Sequence, residues 1–182
     1  IAVPDFAPGR AAGDISVLWE EHVNYFTEET LLALLTRKSF EVLSVKSYNF
    51  SGGSLAVMAR RSALRPPTFD ALASADAAEK FGELAREYGR RLVPALSRLR
   101  DNGSQIVLYG AGCRACTFTN AFELGSLIDF AVDDQKERQG LFMPGSRIGV
   151  RSPDDLKTSS SPLVCLLAVN NENEAVVTSK LE

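Results

Sequence analysis

The residues best suited to chemistry lie in three places. The first is the stretch WEEHVNYF, Trp19 to Phe26, which carries the only histidine of the chain, two adjacent acids and flanking aromatics. A histidine or a desolvated glutamate can remove a proton next to a carbonyl, because its pKa can be brought near working pH. The same residues also suit the approach to a helix, where Glu20 and Glu21 would favour the positive end of the dipole. The second place is GAGCRA, Gly110 to Ala115, which fits G-x-G-x-x-A. There the first glycine makes the bend, the second lets backbone N–H groups approach a phosphate, and the small sixth residue lets a helix pack closely. Cys113 and Cys116 form C-x-x-C in the same turn, where a helix N-terminus lowers a thiol pKa. Two small residues packing beneath the turn is the simpler reading of that pair. The third place is Asp133-Asp134, where an acid that holds a ribose usually sits.

The elements that position these residues follow from periodicity and punctuation. Residues 1–13 are rich in Pro, Gly and Ala without a period and are expected to form a loop. Residues 27–38, TEETLLALLTRK, predict a helix with Thr27 as N-cap and Leu31, Leu34 and Leu35 as its apolar stripe. The runs at 40–50 and 54–61, separated by Ser-Gly-Gly, predict an antiparallel hairpin. Consecutive prolines in RPPT, 65–68, break the chain. A long amphipathic helix is expected over 70–100, kinked or split by Pro94 and ended by Asn102-Gly103. Beyond it strands alternate with helices, which implies a parallel sheet with helices on both faces. The expected fold class is therefore α/β, with a Rossmann-like domain at 67–182 preceded by a helix and hairpin within 1–66.

Bulk properties narrow the function classes. The chain has 182 residues, 45% of them apolar, and a net charge of −3 with acids and bases interspersed. No basic stripe of the kind that tracks a phosphate backbone is present, so no nucleic-acid partner is expected. No apolar run approaches the ~20 residues of a membrane span. Three cysteines, an odd count, argue for a reducing cytoplasm over a disulfide framework. The start at Ile1, without Met, suggests a piece of a longer protein.

Taken in order, the motifs WEEHVNYF, GGSLAVMARR, VLYGAGCRACTFTN and DFAVDDQKERQGLFMPGSRIGVRSPDDL resemble the C-terminal half of bacterial sugar C-methyltransferases. The most specific parts are E-H-x-x-Y-F (Glu21, His22, Tyr25, Phe26) and the QG-x-x-MPG loop, Gln139 to Gly145. The resemblance implies an S-adenosylmethionine-dependent enzyme acting on a nucleotide-linked keto-sugar. It implies three parts: a zinc-binding N-terminal segment, a methyltransferase domain and a Rossmann-like C-terminal domain that positions the substrate. This chain would hold the end of the second part, 1–66, and all of the third, 67–182. The zinc cysteines and the adenosylmethionine loop would lie upstream, so the chain alone is expected to be inactive.

By the same resemblance, Glu21 and His22 lie at the sugar as candidates for the base. From their residue chemistry rather than the resemblance, Trp19 and Tyr25 and, in and beside the glycine turn, Gly110, Gly112, Arg114 and Asp133 are the candidate substrate contacts. Two positions depart from the family pattern. Trp19 stands where a tyrosine is usual, and an indole cannot relay a proton as a phenol can. Arg114-Ala115 replaces a common Lys-Gly, and Arg keeps the charge while offering a bidentate grip on phosphate. Two rivals remain beside this reading: a module binding NAD through Gly110, Gly112 and Asp133, and a non-catalytic duplicate domain that braces its neighbour.

Overall fold

A computed structural model describes residues 1–19, 22–50, 52–62 and 71–181. They form two compact units, Ile1–Asp14 with Glu20–Leu84, and Ile15–Trp19 with Ala85–Glu182. The expected domain boundary at 66 and 67 and the RPPT segment fall outside the described residues.

The first unit is a three-stranded antiparallel sheet with one helix on its apolar face. Strands β2 (Phe40–Tyr48) and β3 (Ser54–Arg61) form the expected hairpin, with a bulge between Val42 and Ser44. Its turn uses Gly52 and Gly53 at φ 85° and 118°, backbone that only glycine adopts cheaply. The loop expected over 1–13 is replaced by strand β1 (Ala2–Pro4), which pairs with β3, and helix α1 (Ala7–Ala12). Both have causes. The free edge of β3 captures β1, and α1 has Pro8 in its first turn and Gly13 in left-handed backbone after its last.

Helix α2 (Glu28–Arg37) starts at Thr27 as expected. Thr30 N–H donates to Thr27 Oγ1 at 3.3 Å, and Thr27 N–H donates to Thr30 Oγ1 at 2.9 Å. This reciprocal cap satisfies donors that helix starts leave open. Leu31 and Leu35 meet Leu55 and Val57 in a closed core, each such side chain contributing about 1.5–3 kcal/mol by burial. Leu32, not Leu34, completes the stripe against this core.

The second unit is a parallel sheet of order β6-β5-β4-β7, built from β4 (Gln105–Tyr109), β5 (Phe130–Val132), β6 (Val150–Arg151) and β7 (Leu163–Leu167). Side chains of alternating residues fill two different cores, as the period of a strand requires. Ile106 and Leu108 face helices α3 (Ala71–Asp101) and α4 (Cys113–Ala121), whereas Val107 and Tyr109 face α5 (Asn171–Leu181). Helices therefore cover both faces, the arrangement expected of a Rossmann-like α/β fold. Helix α3 is not split at Pro94. Leu92, Val93, Leu96 and Leu99, on both sides of the proline, pack on the same core and hold the axis together. Gly103, at φ 84°, and Ser104 close the helix by donating to Arg100 and Leu99 carbonyls.

Candidate functional site

The expected site residues divide between the units. His22 and Tyr25 belong to the first, Trp19 and the glycine turn to the second, and Glu20 and Glu21 lie outside the described residues. Within the first unit, the His22 ring meets the Tyr25 ring edge-on at 6.1 Å. Tyr25 in turn packs on Phe6 at 5.3 Å, and Phe6 on Phe81 at 5.4 Å. Phe26, the last residue of E-H-x-x-Y-F, packs against the unit's core, and its carbonyl accepts the Phe6 N–H at 2.8 Å. The motif thus sets a half-buried imidazole on an aromatic support whose position is fixed from below.

The glycine turn connects β4 to α4, as its sequence predicts. Gly110 sits at φ 103°, and a Cβ there would stand 2.6 Å from the Ala168 carbonyl oxygen. The residue is glycine because two backbones meet. Gly112 is the N-cap of α4 without a capping side chain, and a Cβ there would lie 3.7 Å from Arg138 Nη1.

Asp133 does not face outward. It is 5% exposed. Its Oδ2 accepts the Ala111 N–H at 2.8 Å and Arg138 Nη1 at 2.9 Å, and its Oδ1 accepts the Gln135 N–H at 2.8 Å. An acid held this way closes the turn from inside and turns no oxygen toward a ribose. The turn therefore does not fit an adenosine-type cofactor held through that acid. Arg114 donates to Ser16 and Asn170 of its own unit. Cys113, Cys116 and Cys165 are thiols. Burial pushes the Cys165 thiol up. Among the described residues, no three His, Cys, Asp or Glu side chains converge to hold a metal ion.

Asp134, next in sequence, points to the other face. It accepts Lys180 Nζ at 2.8 Å and the Tyr109 hydroxyl at 3.0 Å. The Lys180 ammonium, helped by that hydroxyl, holds its carboxyl below the usual aspartate range. Burial, then the adjoining carboxylate, pushes the Tyr109 phenol up. A cavity of about 630 Å³ opens beside this trio, floored by Leu163 and Cys165 and bordered by Leu156. Sequence reasoning missed the trio because Lys180 is 46 residues from Asp134 and no local pattern links them.

The QG-x-x-MPG loop is built for folding. Gln139 Nε2 donates to the Asp133 carbonyl at 2.9 Å, and Met143 is buried in the core at 2% exposure. Gly145, at φ 76°, lies under Asn120, which donates to the Pro144 carbonyl at 3.1 Å. The motif anchors the connection from β5 to β6 beside the glycine turn.

Residues 49–181 match the family described as the C-methyltransferase C-terminal domain. Over 193 residues the chain is 27% identical to the C-methyltransferase NovU of Streptomyces niveus, covering 99% of this chain and 46% of that protein. The chain thus spans less than half the length of that relative.

Proposed function

The chain belongs to the C-methyltransferase C-terminal domain family, and from that membership we propose that it is the C-terminal part of an S-adenosylmethionine-dependent enzyme. In this reading the enzyme methylates a carbon of a nucleotide-linked keto-sugar in the cytoplasm. The observation that carries the reading is the match over residues 49–181, joined to the E-H-x-x-Y-F motif upstream of it. Residues 1–66 end the methyltransferase domain and 67–182 form the substrate-positioning domain. S-adenosylmethionine, held mainly by the region upstream, supplies the methyl group, and zinc belongs to that upstream region too.

The residues of this chain handle the proton and the substrate. His22, with Glu21, takes the proton from the carbon next to the keto group, leaving an enolate. The edge contact with Tyr25 limits the turning of the imidazole, so its nitrogens are presented in a narrow range of directions. Trp19 and Tyr25 offer aromatic surface to the sugar. Gly110, Gly112, Arg114 and Asp133 support the substrate from the second unit through the shape of the turn.

In the full-length enzyme, His22→Ala and Glu21→Gln should each reduce methyl transfer by ~10²–10⁴, as loss of a positioned base does. Near-normal turnover in both variants would remove the assignment. The three bonds that engage Asp133 favour a second reading for the second unit alone, that of a brace without ligand contact. Gly112→Val distinguishes the two, since a brace tolerates it without loss of substrate affinity or rate.

A further inference from the structure

Cys113 and Cys116 are a pair that the proposed reaction leaves unused, and the structure separates their roles. Both are half-buried thiols on α4. Cys113 is the first residue of the helix, directly after the Gly112 N-cap. Cys116, one turn on, packs against the core of Leu96, Ile106, Leu108 and Ala115, and its carbonyl accepts Thr119 Oγ1 at 3.2 Å. Cys113 belongs to none of the cores that the described residues form. Packing beneath the turn therefore accounts for Cys116 and leaves Cys113 without that explanation.

Residues three apart on a helix have Cβ atoms about 5–6 Å apart, whereas a disulfide needs about 3.5–4.5 Å. Closing the pair asks for a shift of ~1–2 Å, which only one end supplies cheaply. The Cys113 N–H, at the first helical position, has no intrahelical partner to lose. Before it stands Gly112, where even a Cβ would meet nothing nearer than Arg138 Nη1 at 3.7 Å. Cys116 is held by the core and by its N–H bond to the Gly112 carbonyl at 3.1 Å. Cys113 is thus the end that moves. A disulfide that departs from relaxed geometry is also the more easily reduced.

We propose that Cys113 and Cys116 form a reversible dithiol–disulfide site, with Cys113 as the attacking thiol and Cys116 as the resolving one. The co-reactant is a low-molecular-weight disulfide. The Cys113 thiolate bonds to one of its sulfurs, its S–S bond breaks, and one thiolate leaves. The Cys116 thiol then gives its proton to water, bonds to the Cys113 sulfur and expels the second thiolate. Two protein thiols are oxidised to one disulfide, and one small disulfide is reduced to two thiols. Cys165 takes no part, since burial pushes its thiol up and keeps it from the thiolate form. The site does not depend on the methyl-transfer reading.

The test uses the folded full-length enzyme, with glutathione disulfide as the probe. Trypsin cuts after Arg114, so it separates Asp101–Arg114, which carries Cys113, from Ala115–Lys136, which carries Cys116. After exposure to the probe and blocking of the remaining thiols, these two peptides should stay joined, and dithiothreitol should part them. In Cys116→Ser the reaction should stop at glutathione on Cys113. In Cys113→Ser, Cys116 should take up glutathione at least ~10-fold more slowly than Cys113 does, because access to its sulfur is limited by the core.

The peptide link is read on the unmutated enzyme, so it does not depend on how the variants fold. Separate peptides after exposure, or glutathione left standing on Cys113 of the unmutated enzyme, would overturn the proposal. A link from either cysteine to Cys165 would overturn it too. Cys116 reacting as fast as Cys113 in the folded variants would remove the assigned order, and the site with it.

Discussion

Asp133 Oδ2 accepts the Ala111 N–H at 2.8 Å, so the acid at the end of β5 closes the glycine turn that its position would have it serve. The Gln135 N–H reaches the same carboxylate at 2.8 Å. Asp133→Ala strands both donors, at a cost of about 1–3 kcal/mol each. The partner Arg138 is 40% exposed, so its guanidinium is rehydrated when the carboxylate is removed and adds little to that cost. Urea unfolding should show a loss of about 2–6 kcal/mol, and Asp133→Asn should lose less. A loss of under about 0.5 kcal/mol for the alanine variant would contradict the assigned bonds.

The same geometry bears on nucleotide cofactors. With Asp133 turned inward, calorimetric titration of the chain with NAD should give a Kd weaker than ~1 mM, equivalent to about −4 kcal/mol. Micromolar binding would restore the dinucleotide reading.

Two glycines in left-handed backbone should respond very differently to a methyl group. At Gly103 (φ 84°) a Cβ meets nothing within 4 Å, so Gly103→Ala should cost only the backbone strain of about 1–2 kcal/mol. At Gly110 (φ 103°) the Cβ would stand 2.6 Å from the Ala168 oxygen, adding an overpacking cost of about 1–3 kcal/mol. Thermal melts of the two variants should therefore separate clearly, with Gly110→Ala the lower. Equal melting temperatures would refute the close approach of the backbones.

Asp134 contributes to the pH response of the second unit. Its carboxyl is held below the usual aspartate range by Lys180, so the folded state binds that proton more weakly than the unfolded chain does. The stabilisation is present above the unfolded aspartate pKa and is lost as pH falls through the folded one. Tyr109 and Lys180 are raised, so their contributions hold below their unfolded values and fade as pH rises through the folded ones. Asp134→Asn should flatten the stability profile at both ends. An unchanged difference in urea midpoint between pH 7 and pH 3 would argue against the trio.

Much of the fold was legible because its signals are local. Thr27, Gly52-Gly53 and Asn102-Gly103 each dictate backbone within a few residues, and the alternation of Ile106, Val107, Leu108 and Tyr109 fixes two faces. The start of the chain was misread because β1 exists only through pairing with β3, more than fifty residues away. Helix α1, by contrast, announces itself through Pro8 and Gly13, a signal that composition alone obscured. The site was less legible. The spacing of Asp133 from the glycine turn is right for holding a ribose, yet spacing does not tell whether a carboxylate turns outward or inward. Arg114 likewise carries the charge suited to a phosphate, while Ser16 and Asn170, 98 and 56 residues away, decide where it points.

The excursion of Ile15–Trp19 into the second unit makes the molecule indivisible by a single cut. Neither unit is a contiguous stretch of the gene. A recombination that exchanged everything after residue 84 would deliver a new second unit still wearing the old strap, with a serine selected to meet a different arginine. Domain exchange among relatives should therefore succeed when the crossover falls before Ile15, or when Ser16 and Arg114 travel together. The strap acts as an inherited compatibility requirement, and it sits a few residues from the histidine on which the reaction is proposed to depend.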